Sequence, residues 1–377
     1  MRAVEVVIYS LVGASVILSA IASALRSTVL PRSANAGLAR TALRATRLVF
    51  RLRAGRSASY ERRDRVMAML GPVALLTMLV AWLVLTLAGF TLLYLAIGGR
   101  SVEAAIELSG SSVFTLGTTA SRGLGTDILS YAEAGIGLLL VTLLITYLPS
   151  IYGAFSRREN GVNLLRVRAG DPPQASTLLI RYHVIGDGSI RLTPLWQSWE
   201  QWFTDVEETH TTFAVLAFFR SPQPAQSWIT AAGTLLDAAS MWVAAVEHSP
   251  DPDAQLCIRT GFQALRRIAS TYGLDIEHDP EPGDPISVGR SEWDRAVADM
   301  QSRGVPIVED LEAAWIAWRG WRVNYDVVLL TLARFVEAPP APWVSDRSPI
   351  GADRTRRQVF DRPHLPFSRS GTRSSAR

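Results

Sequence analysis

Three apolar runs dominate the hydropathy pattern: Val4 to Leu25, Leu70 to Ile97 and Ile128 to Phe155. Each reaches the roughly 20 residues that a helix needs to cross about 30 Å of hydrocarbon. The second run, about 28 residues at 1.5 Å each, extends about 42 Å and is expected to tilt or protrude. Pro72 falls in its first turn, where a missing N–H costs nothing. Trp82, mid-run, is expected to pack against a neighbouring helix, and Tyr94, near the far end, to anchor at the interface. The first run has two readings, a retained span or a signal peptide cleaved near Ala22-Ser23-Ala24. The apolar stretch is long for a signal peptide, and Met1 to Glu5 makes a poor basic leader.

Between the second and third runs the pattern changes. Gly98-Gly99 breaks the helix, and Ser101 is a candidate N-cap. Residues 101–114 give a helix of about four turns, too short to cross a bilayer. Glu103 and Glu107 share one face at i, i+4, which suits an aqueous vestibule. Leu108 to Ala120 is rich in Ser, Thr and Gly. Such backbone is tolerated at membrane depth only where protein buries it or it lines water. An outer loop with Ser121, Arg122, Gly123 and Gly125 is expected over 120–126. The third run carries Glu133 near its start, Gly135 and Gly137 one turn in, and Pro149 near its end.

Beyond residue 160 the pattern is that of a water-soluble helical domain. Gly161 to Pro173 reads as a linker. Ala231 to Val246, Ala254 to Tyr272 and Leu311 to Phe335 carry apolar faces at helical period. Trp196, Trp199 and Trp202 recur at helical spacing, as do Trp315, Trp318 and Trp321, and are assigned to the core rather than to base stacking. Asp275 to Gly289 is an acidic, Pro-rich loop. The chain after Pro339 is Pro, Arg and Ser with few large apolar residues, so disorder is expected over 338–377.

Charge orients these elements. The net charge of +4 rests on Arg alone, since the sequence has no Lys. Arg-only, Ala-rich usage suggests a GC-rich bacterial source. Arg is dense over 26–65, and Arg157-Arg158 follow the third run. Short loops rich in Arg stay cytoplasmic, so the N-terminus and the loop after the short helix are expected outside. The C-terminal domain is then expected inside a bacterial inner membrane. This topology accounts for the basic balance without nucleic acid. Leu38 to Leu52 spaces Leu and Val among Arg; it reads either as an amphipathic helix on anionic lipid or as a solvated basic linker. Cys257 is the sole cysteine, which excludes an intrachain disulfide and a Cys-based zinc site.

The Thr115-Leu116-Gly117 segment resembles the opening of the potassium-channel filter signature Thr-Val-Gly-Tyr-Gly. Ala105, Ser109 and Thr115 fall where the pore helix of that superfamily carries Ala, Ser and Thr. The chain departs from the signature at Thr118 and Thr119. Residues 147–159 resemble the end of the inner helix in bacterial two-span members, so the likeness covers about 68–159. It implies an all-α membrane protein with a potassium-channel-like pore, to which this chain adds an N-terminal span (1–25), an Arg-rich linker (26–67) and a helical cytoplasmic domain (160–337). It also implies a homotetramer passing a monovalent cation, potassium in the first instance, through a filter of Thr115, Leu116, Gly117, Thr118 and Thr119. Rings of carbonyls replace the ion's water, and one filter strand per chain requires four chains.

Several consequences were expected of that likeness. Gly117 supplies one left-handed torsion; Thr119 would supply the second at a cost of about 1–2 kcal/mol. Glu133 is either a pore support, paired with Arg122, or a hydrated group at the headgroups. Gly135, Gly137 and Pro149 are gating candidates; Pro149 is either the hinge of an inner gate or a simple helix end. The alternative function is a non-conducting membrane anchor whose cytoplasmic domain binds a partner. Glu207, Glu208 and His210 lack convergent ligand spacing and are assigned surface or capping roles. No catalytic constellation, metal site or cofactor motif is present in the sequence, and no enzyme reading is supported. The cytoplasmic partner is not named by any motif.

Overall fold

A computed structural model describes residues 2–28, 37–54, 60–98, 100–121, 123–188, 191–274, 276 and 279–348. Among these the chain is helical throughout. No strand forms, and the one β-bridge joins Val246 to Ile307. Three helices are long and apolar enough to cross a membrane: α1 (Arg2–Thr28), α4 (Leu70–Ile97) and α6 (Leu124–Ala169). Helices α2 (Gly37–Ala54) and α3 (Tyr60–Ala68) occupy the Arg-rich stretch. The short α5 (Val102–Val113) lies between α4 and α6.

Helix α1 packs along α4 through small residues. A Cβ on Gly13 would stand 2.7 Å from the Gly89 carbonyl, and one on Gly89 would stand 2.9 Å from the Gly13 carbonyl. Only Gly at both positions permits that approach, the usual device where lipid supplies no hydrophobic drive between helices. Trp82 Nε1 donates to Ser23 Oγ across the same pair at 3.2 Å. Tyr94 differs from expectation. It is completely buried and its hydroxyl turns inward to α6, because a carboxylate there offers a stronger acceptor than headgroup water.

The helix of the third run does not end at Phe155, and 161–169 of the expected linker is helical. Helix α6 runs unbroken to Ala169 with Pro149 inside it. Gly161 marks an approach rather than a break: its missing Cβ would lie 2.4 Å from Trp202 Nε1. Trp202 Nε1 donates to the Arg158 carbonyl at 3.1 Å, and Val162, Leu165 and Ala169 join the core of the C-terminal helical region. The C-terminal half of α6 therefore belongs to both regions.

The C-terminal helical region comprises α7 (Ala175–Ile185), α8 (Thr193–Thr212), α9 (Trp228–Ala245), α10 (Pro252–Thr271), α11 (Arg290–Ser302), α12 (Leu311–Arg322) and α13 (Asp326–Val336). Helix α9 is central and buried on nearly every side. Ser227 and Asp251 cap α9 and α10 through their side chains. Trp196, Trp199, Trp202 and Trp318 lie in the core, with Trp315 and Trp321 packed against it. The stretch Leu311 to Phe335 is two helices rather than one. The break at 323–325 lets Arg322 and Tyr325 converge on Asp237 of α9.

The expected disorder from residue 338 is not found over 338–348. Val344 is fully buried, and the Trp343 ring lies 5.5 Å from that of Trp318. The Trp343 carbonyl accepts from Arg322 at 2.7 Å. Two apolar side chains in a Pro-rich run are enough to close the core here. Residues 349–377 lie outside the described residues.

Candidate functional site

The site is built around α5. Ser101 caps it, accepting from the Ala104 N–H at 3.2 Å. Its apolar stripe, Ala105 and Leu108, is buried with Ser109, while Glu103 and Glu107 are exposed. At 12 residues α5 is about 18 Å long, shorter than the two helices it lies between. The segment after it is strapped back onto it. Thr115 N–H donates to the Ser112 carbonyl (3.0 Å), Leu116 N–H to the Ser111 carbonyl (2.8 Å) and Thr119 N–H to Ser111 Oγ (3.2 Å).

Torsions in this loop differ from expectation at one residue. Gly117 has φ of 67°, as a left-handed position requires. The second positive φ belongs to Thr115, at 52°, and not to Thr119. The bond from Thr119 N–H to Ser111 holds that residue without a left-handed turn. Thr115, Leu116, Gly117 and Thr118 are all exposed in the single chain.

Behind the loop, Glu133 is fully buried. Its Oε2 accepts from the Tyr94 hydroxyl of α4 at 2.9 Å, and its Oε1 faces Ser109 Oγ of α5. Ser112 Oγ donates to the Leu108 carbonyl at 2.9 Å, so the 2.7 Å contact with Ser130 Oγ is donated by Ser130. These contacts bind α4, α5 and α6 together directly behind Thr115. The hydrated-headgroup reading of Glu133 is thereby corrected. Arg122, its expected partner, lies outside the described residues.

The other gating candidates separate. Gly137 is a contact point: a Cβ there would stand 2.2 Å from the Val113 carbonyl at the end of α5. Gly135 is exposed with open space around it. Pro149 is exposed, while Tyr147 and Ile151 beside it are buried against a segment the sequence reading passed over.

That segment is Phe213 to Phe219, containing a single 3₁₀ turn over Leu216–Phe218. Phe213 meets the Tyr147 ring edge-on at 5.3 Å, and Phe219 contacts Phe155 and approaches Gly71 at the start of α4. A seven-residue wholly apolar run, too short for a span, was its signal. Arg158 fastens it. This guanidinium is fully buried, donating to the Leu216 carbonyl (2.9 Å) and the Phe219 carbonyl (2.7 Å) and pairing with Glu159 at 2.7 Å. His210 is also buried, not a surface group. Its Nδ1 lies 2.8 Å from the Val206 carbonyl and donates to it, leaving Nε2 to accept from Arg158 at 3.3 Å. Burial first, and then the Arg158 charge, hold His210 well below the usual histidine range. Among the described residues no group of three or more His, Cys, Asp or Glu is placed to hold a metal ion.

Compared with known proteins, the chain is 24% identical over 254 residues to the Uncharacterized membrane protein YdjJ of Bacillus subtilis (strain 168). That alignment covers 64% of this chain and 71% of the relative. The chain is a membrane protein. No family model matches it, and no solved structure matches it.

Proposed function

We propose that the chain is one subunit of a pore-loop cation channel, homotetrameric, passing monovalent cations and potassium in the first instance. The observation that carries this reading is α5 with its loop: a helix too short to span, seated between two spanning helices, followed by exposed polar backbone. Positive φ at Thr115 and Gly117, with none at Leu116, is the alternation that can turn successive peptide groups toward one ion. Thr115, Leu116, Gly117, Thr118 and Thr119 form the filter in this reading, and Glu133 supports it through Ser109. The Arg clusters place the loop outside and the C-terminal domain in the cytoplasm of a bacterial inner membrane. Pro149, with Tyr147 and Ile151 gripped by the Phe213–Phe219 segment, is the hinge through which that domain acts on the pore. Departure from the filter signature at Thr118 and Thr119 favours a second reading, a non-conducting anchor.

Purified protein in liposomes loaded with potassium decides between them. Potassium efflux with poor discrimination against sodium is the expected result. A tetramer that reconstitutes normally and passes neither ion would leave the anchor reading.

A further inference from the structure

Helix α2 has two unlike faces. One is fully engaged. Ala42 packs near Met78 and Trp82, and Leu43 and Phe50 pack near Met67 and Leu70, which fixes α2 beside the start of α4. On the same side the Arg47 guanidinium lies 4.6 Å above the Phe335 ring and donates to the Phe335 carbonyl. The opposite face leaves its large apolar side chains exposed among the described residues. Leu48, Val49 and Leu52 are 60%, 59% and 74% exposed, and Ala45 lies exposed beside them. At 100° per residue, Arg44 and Arg51 border this apolar stripe on one side and Arg53 on the other. Arg51 reaches Glu337 at 3.3 Å while remaining half exposed, and among the described residues no carboxylate forms an ion pair with Arg44 or Arg53. The sequence has no acidic residue from Arg26 to Tyr60.

We propose that α2 binds anionic phospholipid. Its Leu48–Val49–Leu52 stripe enters the acyl boundary of the cytoplasmic leaflet, and Arg44, Arg51 and Arg53 hold the headgroups. An apolar stripe rimmed by cations is the pattern of a helix lying in the interface plane, and α4 holds this one where its own span begins. A second copy of the chain is a poor occupant, because two such faces would set arginines against arginines. A lipid-seated α2 would also fix the cytoplasmic domain to the bilayer, through Arg47 on Phe335 and through Arg51 and Arg63 on Glu337. The choice of leaflet rests on the orientation proposed above; the binding itself does not depend on ion passage.

The test uses the full chain with Leu48→Cys carrying an uncharged, polarity-sensitive fluorophore. Cys257 is buried and its thiol is pushed up by that burial, so labelling goes to position 48. The protein is placed in nanodiscs of phosphatidylcholine with increasing phosphatidylglycerol, made with plain or brominated acyl chains. Nanodiscs expose both leaflets, so the result is independent of orientation and of conduction. Bromine quenching and a blue shift that grow with phosphatidylglycerol are expected. Changing Arg44→Gln and Arg53→Gln together should raise the phosphatidylglycerol fraction at half-shift severalfold, since each cation near an anionic surface is worth about fivefold in binding. Equal quenching with and without phosphatidylglycerol would overturn the headgroup recognition. A label open to iodide in every membrane, or shielded without bromine quenching as a protein neighbour would shield it, would overturn the proposal outright.

Discussion

Two buried polar clusters hold this chain together, and they are built on different chemistry. In the C-terminal helical region Arg322 meets opposite charge on two sides. It donates to both oxygens of Asp237 (2.6 and 2.7 Å), to Asp326 (2.7 Å) and to the Trp343 carbonyl. Tyr325 donates to Asp237 at 2.9 Å, and the Ser287 N–H and hydroxyl donate to Asp326. Burial alone would depress the Arg322 pKa, but the two carboxylates outweigh it and raise it further. In the membrane region the partners of Glu133 among the described residues are the hydroxyls of Tyr94 and Ser109. Neither cluster leaves a buried polar atom without a partner. The first cluster locks one packing of α9, α12, α13 and the chain after them. The second places an ionisable group among apolar helices, where such groups are costly and mark function.

The largest expected effect comes from breaking the charged cluster. Arg322→Met would strand Asp237 and Asp326 in the core, and removing one partner of a buried pair typically costs about 3–5 kcal/mol. The C-terminal helical region should lose its cooperative unfolding transition or express as aggregate. Adding Asp237→Leu should recover part of the loss by removing a stranded charge. A single variant that melts like the wild type would show that water reaches the cluster.

Glu133 should be cheaper to change and more damaging to function. Glu133→Leu leaves the Tyr94 hydroxyl without its acceptor, at about 1–3 kcal/mol. Glu133→Gln keeps a partner for both hydroxyls and should cost under about 1 kcal/mol. Under the pore reading, the Leu variant loses flux well before its melting point. If Leu, Gln and wild type pass ions equally, the membrane cluster is only a structural lock, like the Arg322 cluster.

The contrast between these clusters also explains what could be read in advance. Run length and the Ser101 cap marked the membrane helices and α5, because both signals are local. The Trp spacing marked the core for the same reason. Tyr94 was misplaced because its acceptor is 39 residues away. Gly161 read as the start of a linker because nothing nearby in sequence announces Trp202. Gly137 read as weakness because the Val113 carbonyl it admits lies on another helix. The run Phe213 to Phe219 and the Trp343-Val344 pair carry ordinary apolar signals, but their meaning depends on which surface receives them. Long-range partners decided each of these cases.

The smallest expected effect concerns a third cluster, intermediate between the two. Arg158 is buried with one carboxylate, two carbonyls and the neutral His210 ring, which also lies 4.5 Å from Trp228. A histidine is ordinarily half-protonated near pH 6.5 in an unfolded chain; here burial and Arg158 depress the folded value well below that. The sign follows directly. Above about pH 6.5 neither state binds the proton, and the contribution of His210 is fully present. As pH falls below that value the unfolded chain takes up a proton that the folded protein refuses, and stability drops by up to about 1.4 kcal/mol per pH unit. Glu159 is the acidic group paired with Arg158. His210→Gln keeps a donor for the Val206 carbonyl and an acceptor for Arg158, but does not titrate. Melting temperatures taken from about pH 7 to about pH 5.5 should therefore fall more for the wild type than for His210→Gln, by the equivalent of about 1 kcal/mol. Parallel curves would mean that the ring is reached by water or that Arg158 withdraws from it. The join between α6 and the Phe213–Phe219 segment would then be looser than either of the other two clusters.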